Sequence, residues 1–306
     1  MAKTAILVTG AAGLIGFTLA KRLAETGRAV IGTDTVPPDE DAGFRFVRAD
    51  LSDVHRLHAM FGDGVEAVVH CGAVSGPMLG RDNPRMVVES NLVGTANVLE
   101  AARIHKARRL VYCSSTSAYG DSMKGASRLD ESAPLSPTDI YGATKAGGDI
   151  LTRAYAASAG IDAVVLRFCW VYGPRRRTDC VIREMLNDAQ AGRPTRLPYG
   201  GGFHRQYVYI DDVVTALVSA LDTPGVGGLA FNVTAGVRLS FEEIVTSVKA
   251  LYPKAEIELS PGADPQDQLH ARFEIAAAAR QLGWAPAWPF EKGLAAYAKW
   301  LETHPI

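Results

Sequence analysis

The sequence predicts an α/β fold, a doubly wound parallel sheet followed by a smaller C-terminal lobe. Three observations predict it. Short β-branched runs alternate with helix-length segments through the first half of the chain. Those runs are apolar throughout rather than alternating, the pattern of strands covered on both faces. A glycine-rich turn, Gly10–Gly16, joins the first such run to the first helical segment.

Strands are expected over Ala5–Thr9, Ala29–Thr33, Arg45–Ala49, Ala67–Cys71, Arg109–Cys113 and Ala163–Phe168. Helices are expected between most of them, over Leu14–Thr26, Ser52–Phe61, Asn83–His105 and Ile140–Ser158. Strands separated by helices imply right-handed crossovers and a parallel sheet. After Gly173-Pro174 the pattern loosens, and Gly192–His204 is rich in Gly, Pro and Arg. Shorter helices follow over Asp211–Leu221, Phe241–Leu251, Glu274–Leu282 and Glu291–Leu301. This divides the chain into a first domain, 1–174, and a second lobe, 175–306. The stretch 206–233 has strand-like runs able to rejoin the first sheet.

Of 306 residues, 47% are hydrophobic and 21% charged, which is ordinary globular usage and excludes a disordered chain. Lys plus Arg is 32 against 33 Asp plus Glu, so no broad pull on nucleic acid or an anionic membrane is expected. No stretch approaches the roughly 20 apolar residues that span a bilayer. Met1–Thr4 runs straight into a strand, without the apolar segment of a secretory signal. Cys71, Cys113, Cys169 and Cys180 form no CxxC pair, which suits free thiols in a reducing cytoplasm. His55 and His58 lack further ligands nearby and read as a solvated helix face; no metal is expected.

In the glycine turn, Gly10 permits a tight bend, Gly13 lets the backbone approach a pyrophosphate, and Gly16 packs helix on strand. Leu14 and Ile15 open the helix, whose free N–H groups and partial positive charge point at the phosphates. Asp34 ends the second strand, where a carboxylate accepts from a ribose hydroxyl and repels a 2′-phosphate. The cofactor expected is therefore NAD, on a Rossmann-type domain.

The spacing Gly10-x-x-Gly13-x-x-Gly16 resembles the extended short-chain dehydrogenase/reductase superfamily, the NAD-dependent epimerase/dehydratase family. Asn91–Thr95, Arg167–Pro174, Arg205–Asp212 and Leu282–Pro286 resemble further segments of it, in order. The resemblance implies that Asp50 and Leu51 contact the adenine, and that Cys71, Gly72 and Ala73 lie beside the adenosine. It also implies a homodimer through the helices 83–105 and 140–158, a closed two-fold contact.

Tyr141 and Lys145 fall one helical turn apart, on one face. A phenol is a poor base at neutral pH. A nearby ammonium lowers its pKa, so Tyr141 could take a proton from a substrate hydroxyl while hydride leaves the same carbon. Lys145 would also hold the nicotinamide ribose. The segment Ser114–Gly120 resembles the family's S-S-x-x-x-Y-G, which puts Ser115 at the catalytic hydroxyl position. Dehydratases of the family carry Asp and Glu where this chain has Thr116 and Ser117, so elimination of water is not expected.

For the substrate, the resemblance points to Arg177 and Arg205 as contacts to an anionic part, with Ser75, Ser115, Thr116 and Trp170 completing the set. Arginine forks suit carboxylate or phosphate. Trp170 stands where several epimerases have Asn or Thr, and Ser260–Pro265 lacks the arginine that many use on the nucleotide. The expected activity is NAD-dependent oxidation of a secondary hydroxyl on a sugar or sugar acid. The alternatives are a UDP-hexose 4-epimerase-like enzyme that retains NAD and a non-enzymatic NAD-sensing protein.

Overall fold

The computed structural model describes residues 4–41, 43–122, 127–265 and 267–305; Met1, Ala2 and Lys3 of the leading segment lie outside them. β1 (Ala5–Thr9) leads through the glycine turn to α1 (Leu14–Glu25) and β2 (Ala29–Asp34). Next come β3 (Arg45–Arg48), α2 (Val54–Gly62) and β4 (Val65–His70). A long helical segment follows as α3 (Pro84–Val88), a π turn at Glu89–Val93, and α4 (Gly94–Ile104). β5 (Arg109–Ser115) runs into a 3-10 turn at Thr116–Tyr119 and the short β6 (Arg128–Leu129). Then α5 (Ile140–Ala159) returns to β7 (Ala163–Phe168) and β8 (Trp170–Tyr172).

The second half comprises α6 (Val181–Ala191), β9 (Thr195–Gly201), β10 (His204–Arg205), β11 (Tyr207–Tyr209), α7 (Ile210–Asp222) and β12 (Ala230–Val233). It ends with β13 (Leu239–Ser240), α8 (Phe241–Leu251), β14 (Ile257–Pro261), β15 (Arg272–Phe273), α9 (Ala276–Leu282) and α10 (Phe290–Leu301).

Seven strands make one parallel sheet in the order β12-β7-β5-β4-β1-β2-β3. Successive residues of β1 alternate between two cores. Ile6 and Val8 pack with Leu19 and with Val213 of α7, whereas Ala5 and Leu7 pack with Val98 and Leu110. That two-faced burial explains why the strand reads as wholly apolar. Strand order reverses between β1 and β4, which opens a crevice at their carboxyl ends. The chain crosses back over residue 174, since β12 pairs with β7 and β11 pairs with β8.

Among the elements not foreseen are α6, β9 and its partner β14, besides several strands of two or three residues. α6 buries Val181, Ile182, Met185 and Leu186 and stops at Gly192, which takes a left-handed backbone. β9 lies in the Gly- and Pro-rich stretch and is held by parallel pairing to β14, a distant partner that composition does not reveal. The helix expected over Asn83–His105 is continuous but carries a π turn, which swings Asn91 inward to 1% exposure.

One buried pair fixes α5 to the sheet. Asp149 of α5 is fully buried and accepts from Arg167 Nε at 2.7 Å and Nη2 at 3.2 Å. Arg167 Nη1 also donates to the Tyr119 hydroxyl at 2.6 Å and the Glu131 carbonyl at 3.0 Å. Asp149→Ala leaves a buried guanidinium uncompensated and is expected to cost about 3–5 kcal/mol. Urea unfolding should show a lower midpoint with an unchanged slope.

Candidate active site

A cleft of about 540 Å³ follows the crevice between β1 and β4. Its floor is the glycine turn. Gly10 has φ of +69°, and a Cβ there would sit 2.8 Å from Gly72 N, so the turn after β1 touches the turn after β4. A Cβ on Gly16 would lie 2.1 Å from the Gly10 carbonyl oxygen, whereas one on Gly13 would meet only that oxygen, at 3.3 Å. Gly16 is therefore a packing glycine and Gly13 faces open space. Gly13, Leu14 and Ile15 line the cleft at the start of α1. This cradle fits a pyrophosphate.

At one end Asp34, Asp50 and Leu51 line the cleft. Asp34 Oδ2 accepts from Ala12 N at 3.0 Å and Oδ1 from Thr35 N at 2.7 Å. The carboxylate is thus oriented across the glycine turn, with lone pairs left for a ribose hydroxyl.

Cys71, Gly72 and Ala73 form the opposite lip, held by a closed polar network beneath. Asn91 Oδ1 accepts from Val74 N at 2.7 Å, and its Nδ2 donates to the Val74 carbonyl at 3.0 Å. Thr95 Oγ1 donates to the Asn91 carbonyl at 2.5 Å, so it accepts from His70 Nε2 at 3.0 Å. His70 Nδ1 accepts from the Thr9 hydroxyl at 2.7 Å, and Thr9 Oγ1 accepts from Gly72 N at 3.0 Å. Every group has a partner with His70 neutral, and burial followed by the Lys145 charge pushes its pKa down to about 3. The Cys113 thiol donates to Cys71 Sγ at 3.3 Å; that bond and burial push the Cys71 thiol up.

Ser115, Tyr141 and Lys145 converge on the same cleft. Ser115 ends β5, and its Oγ accepts from Ser117 N at 3.1 Å. Asp139 caps α5 by accepting from Gly142 N at 2.7 Å, which sets Tyr141 in the first turn. Lys145 is 5% exposed and donates to the Cys113 carbonyl at 2.8 Å, with Nζ 5.9 Å from the Tyr141 ring centroid. Burial raises the Tyr141 pKa, while hydrogen bonds from Ser115, the Gly76 backbone and Ser75 lower it. Ser115, Gly76 and Ser75 thus join Lys145 and the nicotinamide ring as groups able to favour the phenolate. The lysine spends one of its three donors on the Cys113 carbonyl, and its own pKa is lowered by burial.

The substrate candidates separate. Ser75, Ser115, Thr116 and Trp170 line the cleft. Arg177 lines it too, but pairs with Asp39 beyond β2. Arg175, beside it, pairs with Glu40 and lies 3.6 Å from the Phe17 ring centroid. Arg205 is 4% exposed and sits outside the cleft, paired with Asp264 and Asp267. Sequence reasoning gave no role to Gly76 or to these aspartates, although Asp264 lies in the Ser260–Pro265 stretch it singled out, and it named Ser117 only in place of a dehydratase carboxylate. The stretch carrying the aspartates is recognisable only by its Pro, Gly and Asp content, which marks a loop and not a partner.

The model of the NAD dependent epimerase/dehydratase family matches residues 6–234. The chain belongs to that family. A UDP-glucose 4-epimerase from Mycolicibacterium smegmatis is 32% identical, with 94% of this chain and 96% of that protein covered. A dTDP-glucose 4,6-dehydratase from Streptomyces griseus is 31% identical over 98% and 95% of the two chains. The solved UDP-glucose 4-epimerase of Thermus thermophilus in complex with NAD has a TM-score of 0.87 at 27% identity, over 98% and 99%. For this member of the epimerase/dehydratase family, NAD should bind much more tightly than NADP if Asp34 faces the ribose. Asp34→Ala should narrow the gap, and titration of both cofactors measures it. Equal affinities in the parent protein would remove Asp34 from this role.

Proposed function

We propose that this chain interconverts epimers of a sugar-type substrate by oxidising and re-reducing one secondary alcohol carbon. The observation that carries the reading is the convergence of the Ser115 hydroxyl and the Tyr141 phenol, with buried Lys145 a turn along α5, on one cleft. NAD, when bound, supplies the acceptor and donor of hydride. Tyr141 takes the substrate hydroxyl proton at its phenolic oxygen and later returns it. Ser115 has one hydroxyl proton and donates it to the reacting oxygen or to the phenolate, steadying whichever carries the charge. Lys145 would hold the nicotinamide ribose with the donors its bond to the Cys113 carbonyl leaves. Thr116 and Ser117 offer no carboxyl group, which leaves elimination of water without an acid or base.

The sequence placed net dehydrogenation ahead of epimerisation; the likeness to UDP-sugar 4-epimerases supports the reverse order. A dehydrogenase that releases NADH is the second reading. It is favoured by the pairing of Arg205 with two aspartates, which takes away a tether for the oxidised intermediate. Absorbance at 340 nm beside product analysis decides between them. Epimer without NADH build-up supports the proposal, and stoichiometric NADH with ketone supports the second reading.

Tyr141→Phe should keep NAD binding and lower turnover by about 10²–10⁴-fold, the usual worth of a positioned acid–base group. Turnover near the parent rate would exclude Tyr141 as the base. In the oxidative direction the rate should rise with pH as the phenol ionises. Because Ser115 opposes the upward pull of burial, Ser115→Ala should shift that rise to higher pH. An unshifted profile would detach Ser115 from the phenol.

The reading includes a homodimer through 83–105 and 140–158. Met86, Val93, Ile140 and Ile150 on these segments are exposed at 40–53%. Light scattering should give twice the chain mass at micromolar concentration, and a monomer would refute the dimer.

A further inference from the structure

The guanidinium of Arg205 is engaged by the chain's own carboxylates. Nη2 donates to Asp264 Oδ2 at 2.6 Å, Nε to Asp267 Oδ2 at 2.5 Å, and Nη1 to the Tyr207 hydroxyl at 3.3 Å. The arginine side chain is 3% exposed and both aspartates 7%. The Trp170 ring lies 4.2 Å from the guanidinium, and its Nε1 donates to Asp267 Oδ1 at 3.0 Å. Two carboxylates thus share the one guanidinium, with Arg238 lining the hollow beside them. A phosphate would have to displace two charge-assisted bonds to reach the guanidinium.

The space beside the cluster agrees. Thr116, Trp170, Arg205 and Asp267 border a hollow of only about 10 Å³, also lined by Arg238 and His270. That volume holds about one water molecule. The stretch carrying the aspartates is fastened toward the catalytic helix. Gln268 Nε2 donates to Asp139 Oδ2, the cap residue of α5, at 2.7 Å and to Thr138 Oγ1 at 3.0 Å. Leu269 N donates to Asp121 Oδ1 at 2.9 Å. These bonds tie the end of the substrate lobe to both loops that border Ser115 and Tyr141.

We infer that Asp264 and Asp267 occupy the anion-binding capacity of Arg205, so that the site selects a compact sugar-type alcohol carrying no nucleoside diphosphate. The substrate then lies in the cleft between Ser75, Thr116 and Tyr141, against the wall formed by Trp170. This rests on the proposed hydride chemistry but not on whether the product is an epimer or a ketone.

The test is calorimetric titration of the NAD-loaded protein with UDP and with UDP-glucose, on the parent, Asp264→Ala and Asp267→Ala. The parent should bind neither below the millimolar range. Each variant should bind UDP-glucose about tenfold or more tighter than the parent, the worth of one charge-assisted hydrogen bond to the freed guanidinium. Micromolar binding of either ligand by the parent overturns the inference. So does the absence of any gain in variants that still bind NAD normally. Should a variant fail to fold, the parent titration still decides. A turnover panel on the parent adds a second readout. Free sugars and sugar acids should react faster than UDP-glucose and UDP-glucuronate, and the opposite order overturns the inference. Calorimetry reads binding alone, so its outcome is separate from a failure of the hydride reading, which the Tyr141 variant tests.

Discussion

The candidate chemistry of this chain depends on how rigidly α5 is held against the carboxyl ends of β5 and β7. Asp149 and Arg167 set that contact. Their bidentate pair is sealed from water, so neither group can be lost without leaving the other charged in the interior. Tyr141 and Lys145 ride on the same helix, two turns and one turn before Asp149. Arg167 reaches further, to the Tyr119 hydroxyl, which donates to Asn232 Oδ1 at 2.8 Å. The turn that follows Ser115 is thereby fixed by the same guanidinium that fixes the helix. One charge pair thus sets the serine and the tyrosine relative to each other.

Around that frame, most polar groups of the cleft serve the backbone and few are left for a ligand. His70, Thr9, Thr95 and Asn91 hold the lip at Cys71–Val74 through bonds that are complete with a neutral imidazole. Asp212, in a segment that the sequence linked to the substrate lobe, instead accepts from Ala287 N at 2.8 Å and Trp288 N at 3.1 Å and holds the approach to α10. Lys145 gives one proton to the Cys113 carbonyl. Groups that line the cleft with capacity left for a ligand include the open face of Gly13, the Asp34 carboxylate, the remaining Lys145 donors, and the Ser75, Ser115, Thr116 and Tyr141 hydroxyls. That set matches a dinucleotide at one end and a single reacting alcohol at the other.

The parts legible in sequence were those decided locally. β1, the glycine turn and α1 were readable because turn, strand and helix signals there all agree. Ser115, Tyr141 and Lys145 were readable by placement in ordered motifs, and the structure brings all three to one cleft. The arginines were less legible, because their type announces an anion without saying whose. Arg205 finds that anion in Asp264 and Asp267, more than fifty residues away in sequence, and Arg177 finds it in Asp39. The surroundings of Tyr141 were legible only in part. A spacing of four on a helix puts Lys145 on the tyrosine's face, but the hydrogen bonds from Ser115, Ser75 and the Gly76 backbone that also favour the phenolate come from loops that spacing does not reveal. β9 was hidden for the same reason as the aspartates, since its partner strand is distant.

The central claim is that this cleft moves a hydride from and to a single carbon, with Tyr141 handling only the hydroxyl proton. The most direct measurement uses a turned-over sugar bearing deuterium on the reacting carbon, incubated with NAD-loaded enzyme in ordinary water and followed by mass spectrometry. Hydride chemistry predicts that the label is retained in the epimer, or in the reduced cofactor if the ketone leaves. Loss of the deuterium to water at the rate of turnover would show that the carbon is deprotonated instead, and would contradict the account.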